Sequence, residues 1–337
     1  MANSSQTKRV YVRRALVPRH PSWKVYDSSK LKTFETCPRK FFYKYRLGWE
    51  SLKPNVNLVH GAAIHNGMEE LYRAKADEGI FAAGSQRAYL AYLEEYTKSY
   101  NTDEDWDYNS PKNPEGASEC FNNFPYELDK YKLIGTEVYG SVPISARRSL
   151  VGKLDVLLET EDGVMVIDHK TSKNALKDYT VDEHSTSIQF HTYYLIGMMY
   201  ALAKGYSLEN FQGILINYLT FGKNKARGVY CDFDRFLIKH TIPQLQQFMQ
   251  EMNQIIDLIE WNDALLRKDK QHNNSMIAFP RRLSSCMDFY KRCSFFDFCK
   301  HTQNPLRFAK QVQPGFKINF WDPRGEKGKL VKLKGLS

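Results

Sequence analysis

The segment from Gly152 to Thr171 constrains the fold more than any other part of the chain. It reads Gly152-Lys153-Leu154-Asp155, a turn at Glu159 to Gly163, and then Val166-Ile167-Asp168-His169-Lys170-Thr171. Apolar residues flank each acid, and Asp162-Gly163 is a turn signal, so a strand hairpin is expected. Val164, Val166, Asp168 and Lys170 recur at spacing two, which puts a carboxylate and an ammonium on one face of the second strand. Either plausible hairpin register leaves Asp155 opposite or diagonal to Asp168, with roughly 5 to 8 Å between their Cβ atoms. An isolated Asp-x-Lys on a surface hairpin needs only its own salt bridge. Two carboxylates on apolar strands need a cation or dense hydrogen bonding. A divalent ion between them, with Lys170 alongside to stabilise charge on phosphorus, suits phosphodiester cleavage.

Two further motifs flank the hairpin. Upstream, His65 lies in Val59-His60-Gly61-Ala62-Ala63-Ile64-His65-Asn66-Gly67-Met68-Glu69. Downstream, Gln189 and Tyr193 in Gln189-Phe190-His191-Thr192-Tyr193 fall one helical turn apart and share a face. A lone His on an amphipathic helix is usually structural, and Gln and Tyr at spacing four are common; their order around the hairpin gives them weight. With a Gly-x-x-Asp strand, an Asp-x-Lys strand, an upstream His and a Gln-x-x-x-Tyr helix, the chain resembles the PD-(D/E)XK nuclease superfamily. Within it, the RecB-like group of phage-type exonucleases and CRISPR-adaptation nucleases is the nearest in pattern. The resemblance covers roughly residues 28 to 300.

The resemblance implies an α/β (α+β), restriction-endonuclease-like fold: a mixed central sheet flanked by helices. It implies a magnesium or manganese ion held by His65, Asp155, Asp168 and the main-chain carbonyl of His169. An imidazole ligand favours manganese, since magnesium prefers oxygen. Asp155, Asp168 and Lys170 would be catalytic, Gln189 would orient water or phosphate, and Tyr193 would contact DNA. Glu137, on the preceding strand, stands where relatives often carry an acid near the site. The implied activity is metal-dependent DNA hydrolysis, with exonuclease action on single- or double-stranded ends in recombination, repair or phage replication. Two other readings stand beside it: a non-catalytic DNA-binding or scaffold protein that kept the fold, and a nuclease for RNA or structured junctions. No Gly-x-x-x-x-Gly-Lys-Ser/Thr occurs, so a helicase partner would be a separate chain, as would a single-strand-binding or recombination protein.

The cysteines are the second strong pattern. Cys286-x6-Cys293-x5-Cys299 lies near the C-terminus, and Cys37 sits in Phe34-Glu35-Thr36-Cys37-Pro38-Arg39-Lys40-Phe41-Phe42-Tyr43. This resembles the iron-sulfur staple of RecB-like nucleases, in which one N-terminal and three C-terminal thiolates hold a [4Fe-4S] cluster. Many relatives have two residues between the first two C-terminal cysteines; here there are six, with Phe289 where the shorter spacing would place a ligand. Zinc on the same thiolates, and unligated reduced cysteines, are the alternatives. A staple from Cys37 to Cys286 closes a loop of about 250 residues, an effect on the order of 5 kcal/mol by loop-closure arithmetic. Cys120 and Cys231 have no such spacing and read as ordinary buried thiols.

A chain of 337 residues has ample length for a core. No run approaches about 18 apolar residues and no apolar segment follows the N-terminus, so neither a membrane span nor a secretory signal is expected. The expected compartment is reducing and cytoplasmic, a host cytoplasm if the protein is phage-encoded. The net charge of +10 favours an anionic partner, and DNA fits the motifs. Three segments are expected: a basic arm over 1–27, free or laid as a strand against the domain; the nuclease domain over 28–300; and a basic tail over 301–337. Helices are expected over His60 to Ala76, Ser85 to Tyr100, about 187 to 204 and Ile242 to Arg267, the last with Leu245, Phe248, Met252, Ile255 and Ile259 as its stripe. A helix starting at Ser28 should break near Cys37-Pro38. Strands are expected at about 132 to 144, 150 to 158, 164 to 171, 211 to 221 and 228 to 233. The Asn-, Asp- and Pro-rich stretch from Asn101 to Pro125 reads as a loop or insertion.

Overall fold

The computed structural model describes residues 17–125, 130–288, 291–322 and 330–336. Along the chain run β1 (Tyr26–Asp27), α1 (Ser28–Thr36), α2 (Pro38–Phe41), β2 (Trp49–Ser51), α3 (Val56–Glu78), α4 (Ser85–Tyr96), α5 (Asp103–Asn109) and α6 (Pro114–Asn122). Then come β3 (Lys132–Ser145), β4 (Arg148–Thr160), β5 (Gly163–Ser172), α7 (Asp178–Ser185), α8 (Ile188–Ala203), β6 (Phe211–Asn224), β7 (Gly228–Ile238) and α9 (Ile242–Leu266). The last are β8 (Met287–Asp288), β9 (Lys291–Arg292), α10 (Phe296–His301), β10 (Phe316–Ile318) and β11 (Val331–Lys332). By contact the chain divides into two compact units. Among the described residues, one holds Lys24–Lys32, Leu52–Asp257 and those from Asp322 on; the other holds those up to Trp23, Thr33–Ser51 and Leu258–Trp321.

The first unit is built on a seven-stranded mixed sheet in the order β11-β3-β4-β5-β6-β7, with β1 pairing parallel to β4. The β3–β4, β4–β5 and β6–β7 pairs are antiparallel and β5–β6 is parallel, as its helical crossover through α7 and α8 requires. This is the restriction-endonuclease-like mixed sheet flanked by helices. Helix α8 packs on one face. Gly197 lets it approach, since a Cβ there would lie 2.6 Å from Val166 Cγ2; one at Gly152 would lie 2.7 Å from Ile196 Cδ1. Helices α3, α4 and α6 cover the other face, where Ile64, Met68 and Leu71 pack with Val156, Leu158, Ile167 and Phe221. Asn55 caps α3 by accepting from the Asn57 amide, and Gly79 ends it in the left-handed region at φ 86°.

In the second unit, α1 gives way to α2 at Cys37, the first α2 residue being Pro38. Aromatic stacking fills the interior: Tyr43 on Trp49 at 5.7 Å and Phe295 on Phe316 at 5.2 Å. Buried Arg46 holds Asp263 in a two-pronged pair at 2.8 and 2.9 Å. Strand β10 pairs antiparallel with β2.

Several expectations change. The stretch from Asn101 to Pro125 contains two helices rather than a loop, because its polar residues are caps. Thr102 accepts from the Asp105 amide ahead of an acidic first turn, and Asn113 accepts from the Gly116 amide with Pro114 at the first position of α6. Helix α3 begins four residues before His60, α4 ends at Tyr96, and α7 was not anticipated. On α9 the buried position is Ile256 rather than Ile255. The segment read as a basic tail supplies β10 and β11, with Leu333 buried behind the latter. Of the segment read as a basic arm, Tyr26–Asp27 is a strand and residues 1–16 lie outside the described residues. No described helix is long and apolar enough to cross a membrane.

Candidate metal centre and thiol pocket

The β4–β5 ladder ends at Val156 opposite Ile167. The next pair along would be Asp155 and Asp168, but there the strands part, and β1 takes the place beside β4 at Leu150 and Val151. Freed from the ladder, the His169 amide donates instead to Asp155 Oδ2 at 2.9 Å. The same oxygen lies 3.1 Å from His65 Nδ1, delivered by α3. Glu137 completes a group of three whose ligand atoms all lie within 4.8 Å of one another: His65, Glu137 and Asp155. Glu137 sits at φ 50°, a left-handed backbone costly for a side chain with a Cβ, and pairs with Lys153.

Asp168 faces α8, as the strand period expects: Val166 packs against Gly197 and Lys170 lies over the Phe190 ring at 5.2 Å. Its carboxylate is 2.6 Å from Lys170 Nζ and almost fully buried. Gln189 and Tyr193 lie half-buried on the same helix, with the Tyr193 hydroxyl in the field of Asp168 and Asp155 and bonded to Gln189. All the hairpin, His and helix-motif residues thus come together in one unit. Asp168 stands outside the three-residue group, with its Oδ2 2.6 Å from Lys170 Nζ.

The electrostatics separate the two acids. Burial alone would raise Asp155, but His65, with His169 and Lys170 behind it, holds it well below the usual carboxylate range. Burial, opposed by Lys170 and reinforced by the Asp155 charge, pushes Asp168 up to about 6. Burial would depress His65, yet the Asp155 charge and hydrogen bond leave it raised. Burial also raises Glu137 against the pull of Lys153, and drives His169 down to about 3. Crowded acids of divergent pKa are relieved by a cation bound among them. The donor set of one imidazole and two or three carboxylates, reachable from a half-exposed His65, fits a divalent metal.

In the other unit Cys37, Cys286, Cys293 and Cys299 all line one pocket of 150 Å³. Cys37 is placed by the break between α1 and α2 and accepts from the Arg282 amide at 3.5 Å. The Cys293 amide donates to the Cys286 carbonyl at 3.0 Å, closing the six-residue spacing into the β8–β9 turn; Phe289, within it, lies outside the described residues. Arg39, Lys40, Arg281 and Lys300 surround the pocket. The Tyr43 hydroxyl lies against Arg39 and Cys299, and Arg39 Nε donates to the Phe279 carbonyl at 2.8 Å. Burial raises the Cys293 and Cys299 thiols, while Lys40 lowers the former and Tyr43, Arg39 and Arg281 lower the latter. Among the described residues no three of the sulfurs lie mutually within 4.8 Å. Cys120 and Cys231, in the first unit, are both buried and adjoin each other.

The sequence reading missed Lys153 and a polar row, His169, Asn217 and Arg235, running across three strands. The available signal was Asn217 itself, a lone polar residue in the apolar run Gly213-Ile214-Leu215-Ile216-Asn217-Tyr218-Leu219.

The sequence matches the PD-(D/E)XK nuclease superfamily over residues 28–300, most of the chain. The protein belongs to that superfamily, whose members are nucleases using divalent metals, with DNA as the implied substrate. No curated protein matches it at a significant level.

Proposed function

We propose that the protein is a divalent-metal-dependent exonuclease that hydrolyses DNA from ends, in recombination, repair or phage replication within a reducing compartment. The observation that carries the nuclease part is the grouping of His65, Asp155 and Glu137 beside the Asp168–Lys170 pair. Magnesium or manganese bound there would supply Lewis acidity toward the phosphate and make the attacking water more acidic. His65, Asp155, Asp168, the His169 carbonyl and Glu137 are the residues to hold it. Asp168, buried and 2.6 Å from Lys170 Nζ, would serve that ion as a carboxylate ligand. Lys170, 2.6 Å from Asp168, would stabilise the charge developing on phosphorus. Gln189 orients the water or a phosphate oxygen, and Tyr193 borders the DNA backbone. A helicase, single-strand-binding or recombination protein on a separate chain would supply the ends.

The reading extends to a [4Fe-4S] cluster on Cys37, Cys286, Cys293 and Cys299. What supports it is that all four cysteines line one pocket, with Arg39, Lys40, Arg281 and Lys300 around it to offset thiolate charge; zinc on the same thiolates is the alternative.

The test is degradation of end-labelled single- and double-stranded DNA with manganese, magnesium or EDTA, comparing the intact protein with Asp168→Ala and Lys170→Ala. Metal-dependent cleavage lost in both variants supports the reading, and the product ladder reports whether cutting starts at an end. Absence of cleavage by intact, iron-loaded protein would favour a DNA-binding scaffold.

A further inference from the structure

A buried polar row crosses the sheet from the metal centre toward its edge. The registers place His169 of β5 beside Asn217 of β6, and Asn217 beside Arg235 of β7. Their side chains are joined in that order. Arg235 Nε donates to Asn217 Oδ1 at 3.3 Å, and Asn217 Nδ2 lies 3.0 Å from His169 Nδ1. Asn217 is fully buried and His169 nearly so, beside the apolar cluster that includes Ile167 and Leu219, with Leu215 packed against it. Placing such groups there is costly unless the hydrogen bonds fix something.

The row has a direction. Arginine only donates, so the amide atom facing Arg235 is the oxygen. The atom facing His169 is then the amino group, also a donor, and His169 Nδ1 must accept. The ring is therefore held as one tautomer, with its proton on Nε2. A ring locked in this way fixes the main chain that carries it, and that main chain donates to Asp155 Oδ2 at 2.9 Å. The same ring stands edge-on to His65, with centroids 6.2 Å apart. His169 thus touches two members of the three-residue metal group, although its ring need not bind the ion.

We propose that Asn217 and Arg235 are positioning residues for the metal centre, acting through His169 to hold Asp155 and His65 at the spacing a divalent ion requires. The proposal rests on the metal-site reading above. Residues that orient a metal's ligands typically change metal affinity or activity by about 10- to 100-fold when removed. Arg235 lines an open pocket of 520 Å³ with Arg227 and Tyr230, so it can be changed without opening a cavity in the core.

The experiment is titration of the full-length protein with Mn2+, followed by the electron paramagnetic resonance of the free ion. It compares the intact chain with Asn217→Leu, Arg235→Leu, Arg235→Lys and Asp155→Asn, with thermal midpoints alongside. Asn217→Leu and Arg235→Leu are expected to bind Mn2+ about 10- to 100-fold more weakly. They should need correspondingly more Mn2+ for half-maximal DNA cleavage, with the KM for DNA unchanged, and Arg235→Lys, which keeps a donor, should recover much of the affinity. A lowered midpoint with an unchanged Mn2+ dissociation constant would reduce the row to packing and overturn the proposal while sparing the metal site. Intact protein whose Mn2+ binding is absent, or indifferent to Asp155→Asn, would remove the metal site and the proposal together. Should Asn217→Leu not fold, the Arg235 pair decides.

Discussion

The metal centre and the thiol pocket are assembled in opposite ways. Asp155 and Asp168 lie on adjacent strands of one hairpin, and the ladder from Val156 onward holds them whether or not anything is bound between them. Cys37 and Cys286 are far apart in the chain, and among the described residues the segment around Cys286 to Cys299 carries two paired strands of two residues each and a six-residue helix. The acids are almost fully buried, whereas the four thiols are half-exposed. A site made by local register can lose its ion and keep its fold, at a cost in electrostatics. A site made by chain closure loses part of the fold with whatever it holds.

The largest expected effect breaks the closure side of this comparison. Cys37→Ser should cost up to about 5 kcal/mol, the loop-closure estimate for a cross-link of this span, together with bound iron. Urea unfolding and iron analysis check it. A native midpoint with no iron in either protein would mean that the thiols hold nothing and the second unit stands on its aromatic core.

Next comes the hairpin chemistry. Lys170→Ala should slow DNA cleavage by about 100- to 1,000-fold, comparable to removing a charge-stabilising donor in other active sites, and Asp168→Ala by at least as much. Circular dichroism and iron content should stay at the intact level. If either change unfolded the second unit, the separation drawn between the two sites would fail.

The pH dependence of the metal-free protein sharpens the electrostatic side. For Asp168 the folded state binds its proton more tightly than the unfolded chain, so its contribution is fully present below its ordinary value of 3.8 and is lost as pH rises through about 6, about 3 kcal/mol in all. His65, also raised, contributes below 6.5 and loses that contribution as pH climbs further. Asp155, depressed, contributes above 3.8 and loses its share only in acid. Burial works the other way at His169, driven down to about 3, and at His60, His184, His191 and His240, all depressed, which add stability as pH rises toward 6.5. The metal-free midpoint in urea should therefore rise between pH 5 and 7.5, and rise more steeply in Asp168→Asn, which lacks the opposing contribution. An Asp168→Asn profile identical to that of the intact protein would show that Asp168 is not burdened as its burial suggests.

The smallest effect concerns the helix over the hairpin. Gly197→Ala places a Cβ 2.6 Å from Val166 Cγ2, an overpacking expected to cost about 1 to 3 kcal/mol. The thermal midpoint should drop with iron content unchanged, while cleavage falls only as far as α8 carries Gln189 and Tyr193 out of place.

Much of the sheet and the site was legible in the chain. Period two put Asp168 and Lys170 on one face of β5, and five of the strands in the sheet were visible as apolar runs. Asn101 to Pro125 was misread because Thr102, Asn113 and Pro114 are common to loops and to helix starts, and only the hydrogen bonds they make tell the two apart. Glu137 was recognisable as an acid near the site, but its left-handed backbone and its place in the ligand group were not, since both depend on how β3 bends beside β4. The row from His169 to Arg235 left almost no trace, because lateral neighbours in a sheet are set by register between strands far apart in sequence.

The sequence by itself determined the superfamily, the alternation that makes the hairpin, and the chemistry of the residues that could hold a metal, because these follow from side-chain type and from spacing within single elements. Tertiary structure alone decided that β4 and β5 part at Asp155, that His65 and Glu137 arrive beside it while Asp168 turns to Lys170, and that four distant thiols share one pocket. Those outcomes depend on registers, helix approach and burial summed over the whole chain, and no local pattern encodes a distance between residues on elements far apart in the sequence.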